Sequence, residues 1–458
     1  MDTTEARYAE IARKMVETGD WVTPQYKYGV AFWSKPPLST WITAIAYLGL
    51  GVSEFTARLP SLLACLLVAW MTFRLAARKG GVETGLLATV VLVTTPLYFV
   101  AAGAVMTDAV LVLGTTLSMA GFWEAMTRTG RPARLWGYGF FLGLAIGLLA
   151  KGPVGIVLTL VPVGAWALWK GDAREVWKRV PWVSGLVLTI ALAIPWYVLA
   201  EQRTPGFLEY FLIGEHWRRF TESGWKGDMF GHAHSHPRGT IWLFAVAATL
   251  PWCVLWVALL LQQWRAGGRR AAAPSDDGWR EYVWLWVLTP AVFFTFAGNI
   301  LPTYVLPGLP AFALLVAATW AAADKNGLLA AALRFAALTI PIIAVLGVLF
   351  VLPGLALTRS HQALVAEYYA KRESDAQRLV YLGEAPQSAE FYARGKVITV
   401  PDAANLERYL QDAPRDFFAL TGTQLRELPA IRMRLTPLAR FGPYTLLQET
   451  RPGASATP

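Results

Sequence analysis

The feature that most constrains this chain is a series of long apolar segments that occupies most of its middle. Apolar runs of about 20 residues match the ~30 Å hydrocarbon core of a bilayer. Only 16% of the 458 residues are charged, against about 25% in soluble domains. The sequence therefore predicts a polytopic α-helical membrane protein with spans at about 57–77, 83–102, 108–127, 137–150, 154–169, 183–200, 239–262, 281–297, 302–322 and 328–356.

Clusters of basic residues set the predicted orientation of these spans. They account for much of the net charge of +10 and occur in short loops at every second crossing. This pattern marks cytoplasmic loops, so the basic charge indicates membrane topology and no nucleic-acid partner. The clusters contain Arg74, Arg78 and Lys79; Arg128, Arg131 and Arg134; Lys170, Arg174, Lys178 and Arg179; and Arg265, Arg269, Arg270 and Arg280.

The remaining segments are then predicted to lie on the outer side. They are residues 1–56, 103–107, 151–153, 201–238 and 298–301 and the tail from 357. In the tail, short apolar runs such as LVYLG, VITV and FFALTG alternate with helical stretches, which indicates a small α/β domain. The predicted organisation is a first outer loop at 1–56, a transmembrane domain at 57–356, an outer α/β domain at 357–450 and a disordered tail at 451–458.

Charged and aromatic residues at the outer edges of the spans are candidate functional groups. Asp108 opens a span, either as a helix N-terminal acid or as a functional carboxylate at membrane depth. Lys35 precedes Pro36 and Pro37, so it is a rigidly held phosphate ligand or an interfacial anchor. Lys151 lies in a tight turn, where it is either an anchor to the lipid headgroups or a functional residue. Tyr304 is either an aromatic-belt residue or a ligand for a lipid phosphate.

The outer loop 201–238 carries the densest group of candidates. Glu215 and Arg219 have helical i, i+4 spacing in EHWRRF, beside His216. Arginine suits phosphate recognition, whereas the alternative is an ordinary surface salt bridge. Alternating His232, His234 and His236 would fit a zinc site on an extended backbone, but their Gly- and Pro-flanked setting favours a plain loop. His361, alone at the start of the tail, is interpreted as structural.

Nine motifs, in order, resemble those of one known family. They are TEARYAEIARKM, GDWVTP, KPPLSTW, ARLPS, MTDAVL, AKGPVG, PWY, EHWRRF and LPTYVLPGLPA. The chain resembles bacterial polyprenyl-phosphate-sugar-dependent membrane glycosyltransferases, which are related to protein O-mannosyltransferases and include the lipid A aminoarabinose transferases. The resemblance runs from the first residues to about residue 320, and the small C-terminal domain is also family-like.

The resemblance implies a C-type glycosyltransferase fold in the bacterial inner membrane, with an active site that faces the periplasm. The donor would be a sugar on a polyprenyl (undecaprenyl) phosphate, and the acceptor lipid A or another envelope glycan or protein. Glu5, Arg7 and Tyr8 match the family's first-loop motif, but Thr4 stands where the family has a catalytic acid. The resemblance therefore assigns the base to Asp2 or Glu5.

The other family positions imply roles for the outer-edge candidates. The second acid corresponds to Asp108, the lysine before the prolines to Lys35, and the lipid-phosphate tyrosine to Tyr304. Ser34 replaces a glutamate that helps to bind zinc in many aminoarabinose enzymes. The sequence therefore predicts no cofactor with a defined site, and it leaves undecided whether a divalent metal binds. The predicted substrate ligands are Arg7, Lys35, Lys151, Glu215, His216, Arg219 and Tyr304.

Other readings of the sequence remain. A lipid-linked sugar transporter, or a carrier-lipid-binding protein without catalysis, would also need a membrane domain with polar outer loops. Transporters commonly show internal repeats and broken helices at the midplane, whereas this chain gathers its charges on one side. Family members also place a transmembrane helix before the first loop, so we expect a further span upstream of Met1.

Overall fold

The computed structural model describes most of the chain, and it divides into two compact units. Described are residues 1, 3–171, 173–231, 233–265, 277–323, 327–411 and 414–450. One unit is Lys14–Ile343, and the other combines Met1–Arg13 with Ala344–Pro458. The predicted division at residues 56 and 356 is not tested by these units and stays a prediction. The predicted disordered tail, 451–458, lies outside the described residues.

The larger unit is predominantly helical. A short hairpin of β1 (Gln25–Lys27) and β2 (Val30–Ala31) precedes its apolar helices. The helices are Thr3–Thr18 (which begins in the other unit), Leu38–Leu50, Glu54–Val93, Pro96–Ala102, Asp108–Thr127, Gly130–Lys151, Val154–Lys170, Ala173–Arg179, Trp182–Arg203, the π-helix Glu209–Arg218, Arg219–Thr221, Thr240–Thr249, Trp252–Arg265, Trp279–Thr295, the 3-10 helix Pro302–Gly308, Leu309–Ala321 and Gly327–Leu346 (which ends in the other unit).

The prediction of a polytopic α-helical membrane protein is confirmed. Within the described residues, six helices are long and apolar enough to cross a membrane, or seven if one bent pair is a single span. The ten predicted segments all fall on helices. The smaller number arises partly because Glu54–Val93, with 40 residues, covers two predicted spans that a non-helical Gly81 separates. Val154–Lys170 and Trp279–Thr295 are shorter, with 17 residues each.

One predicted span differs in shape from the expectation. The segment 239–262 is not a straight helix, because Thr240–Thr249 and Trp252–Arg265 meet at 92°. Pro251 lies at this junction, and its missing N–H and fixed φ do not allow a helix to continue regularly. The bend therefore interrupts the backbone at the residue where the sequence cannot supply a helical hydrogen bond.

Glycines allow the helices Asp108–Thr127 and Gly130–Lys151 to pack at very short distance. A Cβ on Gly143 would lie 2.4 Å from the carbonyl oxygen of Gly114, and a Cβ on Gly121 would lie 2.6 Å from the amide of Phe140. Close backbone approach at small residues is the usual mode of helix association in membranes. The two helices run in opposite directions, so the start of the first lies beside the end of the second.

The second unit contains a five-stranded sheet with the order β4-β3-β5-β7-β6. Strands β3 (Leu379–Leu382), β4 (Val397–Val400) and β5 (Phe417–Thr421) are parallel neighbours, whereas β6 (Leu435–Phe441) and β7 (Tyr444–Glu449) pair antiparallel. The predicted small α/β domain is confirmed. Its helical segments are the π-helix Gly347–Val351 and the helices Leu352–Arg359, Gln362–Lys371, Gln387–Tyr392, Ala403–Tyr409, Gly422–Glu427 and Pro429–Arg432.

Candidate active site

Lys35 is fixed between a proline pair and an acidic partner from the loop 201–238. Pro36 and Pro37 follow it, and the helix Leu38–Leu50 begins directly afterwards. The Lys35 ammonium donates to the carbonyl oxygen of Ser34 at 2.7 Å and to Glu215 Oε2 at 3.3 Å. Because proline restricts the backbone, the ammonium is directed at Glu215 from a rigid segment.

Glu215 and Arg219 form the ion pair that their spacing indicates, and Asp228 completes it. Arg219 Nη1 donates to both Glu215 oxygens at 3.1 Å and to Asp228 Oδ2, also at 3.1 Å. The side chains of Glu215, Asp228 and Arg219 are 2%, 6% and 15% exposed, so this is a buried network and not a surface salt bridge. Arg219 Nε is buried and has no hydrogen-bond partner among the described residues.

The charges of this network shift the pKa values of Glu215 and Arg219. Burial by itself raises the pKa of the Glu215 carboxyl, but Lys35 and Arg219 outweigh burial and lower that pKa below its usual range. For Arg219, burial lowers the pKa, and the nearby Glu215, Tyr304 and Asp228 reverse this and raise it. Glu215 therefore stays a carboxylate between two cations.

Asp108 and Lys151 form a second buried pair at adjacent helix ends. Lys151 Nζ lies 2.5 Å from Asp108 Oδ1, and the side chains are 14% and 12% exposed. Asp108 is in the first turn of its helix and Lys151 in the last turn of its own, so each charge also complements a helix dipole. Lys151 Nζ lies 5.0 Å from the ring centroid of Tyr304. The tyrosine predicted from the sequence therefore stands beside this pair.

His216 joins the loop 201–238 to the turn that carries Lys151. Its Nδ1 lies 2.7 Å from the carbonyl oxygen of Phe211, and its Nε2 lies 3.1 Å from that of Lys151. Burial is the main reason why the pKa of His216 lies below its ordinary value. Because both partners are carbonyl oxygens, the neutral ring donates one of these bonds and the imidazolium donates both. In this position His216 braces the Lys151 backbone.

Seven of the residues singled out in the sequence therefore come together in the larger unit. Lys35, Glu215 and Arg219 form one ion-pair network, Asp108 and Lys151 form another, and His216 and Tyr304 adjoin both. Sequence reasoning missed Asp228 and the phenol of Tyr210, which donates to Glu215 Oε1 at 3.3 Å. Asp228 is one of many charged residues in its loop, and Tyr210 lies among apolar residues. Nothing in the sequence therefore distinguishes either of them from its neighbours.

The first-loop candidates belong to the other unit. Glu5 and Arg7 lie on the helix Thr3–Thr18, with Glu5 in its first turn, and Asp2 lies outside the described residues. On the same helix, Arg13 donates from Nε and Nη2 to the two Glu10 oxygens at 2.7 and 2.8 Å. This buried bidentate pair was not singled out in the sequence.

The histidine triplet is described only in part. His232 lies outside the described residues, and His234 and His236 are exposed. The ring of His236 packs edge-on against Phe244 at 5.3 Å. Across the described ranges, no three His, Cys, Asp or Glu side chains are grouped as metal ligands would be.

The geometry can be compared with known proteins. Residues 1–211 match the model of the family described as dolichyl-phosphate-mannose-protein mannosyltransferase. An undecaprenyl phosphate-alpha-4-amino-4-deoxy-L-arabinose arabinosyl transferase of Erwinia tasmaniensis is 30% identical over 68% of this chain and 54% of its own length. A relative of the same description from Pseudomonas fluorescens is 31% identical over 69% of this chain and 53% of its own length.

Two solved structures share the fold. The crystal structure of ArnT from Cupriavidus metallidurans bound to undecaprenyl phosphate superposes with a TM-score of 0.78 and 20% sequence identity, covering 99% of this chain and 94% of that one. Its apo state gives a TM-score of 0.73 over 98% and 93% of the two chains. The chain spans about half the length of the curated relatives it matches. It is a multi-pass membrane protein that has the fold of ArnT and resembles the undecaprenyl-phosphate aminoarabinose transferases over two thirds of its sequence.

Proposed function

We propose that the protein is an integral membrane glycosyltransferase. It moves a sugar from a polyprenyl (undecaprenyl) phosphate carrier to an acceptor on the periplasmic side of the bacterial inner membrane, such as lipid A or another envelope glycan or protein. The observation that carries this proposal is the buried network of Lys35, Glu215 and Arg219. Its Arg219 Nε has no hydrogen-bond partner among the described residues, which suits an arriving phosphate oxygen.

In the proposed reaction an acceptor hydroxyl oxygen attacks the anomeric carbon of the donor sugar. The bond from that carbon to the phosphate oxygen breaks, and its electron pair leaves with the polyprenyl phosphate. Lys35, Arg219 and the Tyr304 hydroxyl stabilise the negative charge that develops on the leaving phosphate. The hydroxyl proton passes to a carboxylate, which the family pattern assigns to Asp2 or Glu5.

Asp108 is proposed as an orienting carboxylate. Its ion pair with Lys151 directs the Lys151 ammonium toward the face of Tyr304. Glu215 then holds the cations Lys35 and Arg219 in place. His216 holds the backbone at Lys151, whose ammonium lies against Tyr304. Arg7 is proposed as a substrate ligand from its match to the first-loop motif, and not from a measured contact.

Transfer of sugar from a polyprenyl-phospho-sugar to purified lipid A tests the proposal. Asp108→Asn keeps the size of the side chain and removes its charge, so turnover should fall on the order of a hundredfold or more while protein abundance hardly changes. Arg58→Ala, which removes a half-buried helical ion pair with Glu54, is the matched control and should keep full turnover. Movement of the polyprenyl-phospho-sugar across vesicle membranes, without transfer of its sugar to the acceptor, would favour the transporter alternative.

A further inference from the structure

Asn299 is a buried amide that binds the end of the helix carrying Arg219. It is 3% exposed. Its Nδ2 donates to the carbonyl oxygens of Arg219 at 2.6 Å and Glu222 at 2.7 Å, and its Oδ1 accepts from the amide of Gly224 at 2.9 Å. The carboxamide thus uses both N–H groups and its oxygen on one stretch of main chain.

The neighbours of Asn299 also bind the loop 201–238 through their backbones. The amide of Gly298 donates to the carbonyl oxygen of Phe220 at 2.6 Å, and the amide of Ile300 donates to that of His234 at 3.0 Å. A Cβ on Gly298 would lie 2.9 Å from the amide nitrogen of Ser223, so only glycine permits this approach. The segment 298–300 therefore lies directly against the end of the Arg219 helix.

This attachment determines where the Arg219 guanidinium points. The last carbonyl groups of a helix lack partners within the helix, and the helix Arg219–Thr221 ends beside Asn299. By accepting from Asn299, the Arg219 carbonyl fixes the backbone from which the guanidinium extends. Tyr304 follows a few residues after Asn299 and interacts electrostatically with Arg219. Asn299 thus connects the main chain of Arg219 to the segment that leads to Tyr304.

We propose that Asn299 is a positioning residue that acts through Arg219 to hold the phosphate-binding edge of the site. This inference rests on the proposed function, because it assumes that Arg219 binds the carrier phosphate. Asn299 itself has its polar atoms committed to main chain, so its effect on the ligand passes through Arg219. A loss of Asn299 lets the helix end move, and a displacement of about 1 Å is enough to weaken a precisely placed contact.

A double-mutant cycle with undecaprenyl phosphate as the probe tests this inference. The full-length protein in detergent is titrated as wild type, Asn299→Ala, Arg219→Ala and the double variant. Asn299→Ala should raise Kd about tenfold, and it should also lower kcat at saturating donor, because Arg219 stabilises the charge that develops on the leaving phosphate. In the Arg219→Ala background the same substitution should change Kd by less than about twofold, since contacting residues are strongly non-additive.

Two further variants separate positioning from a general loss of stability. Gln377→Ala removes an amide of similar burial that binds the main chain at Arg415 and Glu373 in the second unit, and it should leave Kd unchanged. Asn299→Asp keeps the size and the bond from Gly224 but cannot donate to the two carbonyl groups, so it should reproduce the Asn299→Ala affinity. It replaces that variant if the alanine protein does not fold.

The possible outcomes distinguish this inference from the proposed function. Equal weakening by Asn299→Ala with and without Arg219, or no weakening while Arg219→Ala is defective, overturns the positioning role alone. An Arg219→Ala protein with wild-type affinity overturns the phosphate role of Arg219, and the positioning role with it.

Discussion

At the scale of single residues, the site pairs each partly buried cation with a carboxylate. Lys35 and Arg219 share Glu215, and Lys151 has Asp108. A cation that is removed from water is expensive unless it is paired, so the carboxylates allow the cations to be held in place before a ligand arrives. In the proposed function, the carrier phosphate then meets preorganised donors and need not order flexible side chains.

This arrangement predicts the effect of removing either cation. Lys35→Ala and Arg219→Ala should each weaken binding of undecaprenyl phosphate by about 1.5–3 kcal/mol, the range for hydrogen bonds to charged groups. Isothermal titration in detergent measures the change. Arg218→Ala is the matched control, because Arg218 precedes Arg219 and is exposed; it should have wild-type affinity. Wild-type affinity in both of the first two variants would make Lys35 and Arg219 interfacial anchors.

The sequence predicted the site residues to very different degrees. Glu215 and Arg219 are four positions apart on a helix, so their contact follows from helical periodicity. Lys151 and Asp108 are 43 positions apart, and their contact depends on the close packing of two helices, which the sequence indicates only through glycines. Asn299 could not be identified, because nothing distinguishes a loop amide that caps a distant helix from one that faces water.

At the scale of elements, the turn after Lys151 depends on one glycine. Gly152 has a φ of +82°, and a Cβ there would lie 2.6 Å from the Phe211 ring and 3.0 Å from His216 Nε2. Gly152→Ala therefore combines backbone strain of about 1–2 kcal/mol with a collision that displaces the His216 brace. We expect lower thermal stability together with a clear loss of transfer activity.

Gly171 supplies the control for this substitution. It has a φ of +70° but open space around the added Cβ. Gly171→Ala should therefore lower the unfolding temperature through strain alone and keep transfer activity per folded molecule. If the two alanine variants lose activity equally, the brace between His216 and the Lys151 turn does not matter for the site.

Local patterns predicted elements well where the local chemistry decides them. The sequence TGTQLREL predicts a strand, a cap and a helix, and Thr421 with Gln424 forms a capping box before the helix Gly422–Glu427. Strand β6 was missed because it contains Pro437, next to a register irregularity. The 92° bend between Thr240–Thr249 and Trp252–Arg265 was missed because a proline marks a break but its angle depends on tertiary packing.

At the scale of the whole molecule, the second unit should respond to pH through His361. This ring lies 2.9 Å from the Tyr381 hydroxyl, and burial lowers the pKa of His361 from 6.5 to about 4. The unfolded chain therefore binds a proton in a range where the folded unit does not. The stabilising effect of the neutral His361 ring is complete above pH 6.5 and is lost as the pH falls toward about 4.

Hydrogen exchange of peptides from β3 measures this effect in the full-length protein, after correction for the intrinsic pH dependence of exchange. Protection should decrease by about 1–2 kcal/mol between neutral and acidic pH, allowing for solvent screening. His361→Gln should flatten the profile, and His236→Gln, on an exposed loop, should leave it unchanged. An unaltered profile in the first variant would assign the pH response to other groups.

Each end of the helix Asp108–Thr127 carries an ionic cluster. The positions of the two clusters indicate the predicted orientation of the molecule. At its start, Asp108 pairs with Lys151 in the candidate site. Near its other end, Glu124 pairs with Arg78 and Arg128, and these arginines belong to the loops that the positive-inside rule assigns to the cytoplasm. The helix has 20 residues, or about 30 Å at 1.5 Å per residue. We therefore expect the site and the basic loops to lie on opposite faces of the bilayer.

Labelling of single cysteines tests this orientation in intact cells, in a background in which Cys65 and Cys253 are replaced by serine. Lys226→Cys, exposed in the loop 201–238, should react with a membrane-impermeant maleimide that is admitted to the periplasm. Arg131→Cys, exposed in the first turn of the helix Gly130–Lys151, should react only after the inner membrane is permeabilised. The reverse pattern would place the site in the cytoplasm, where a periplasmic acceptor could not reach it. Free undecaprenyl phosphate should not change the labelling of Lys226→Cys. Lys226 is exposed and lies outside the ion-pair network of Lys35, Glu215 and Arg219.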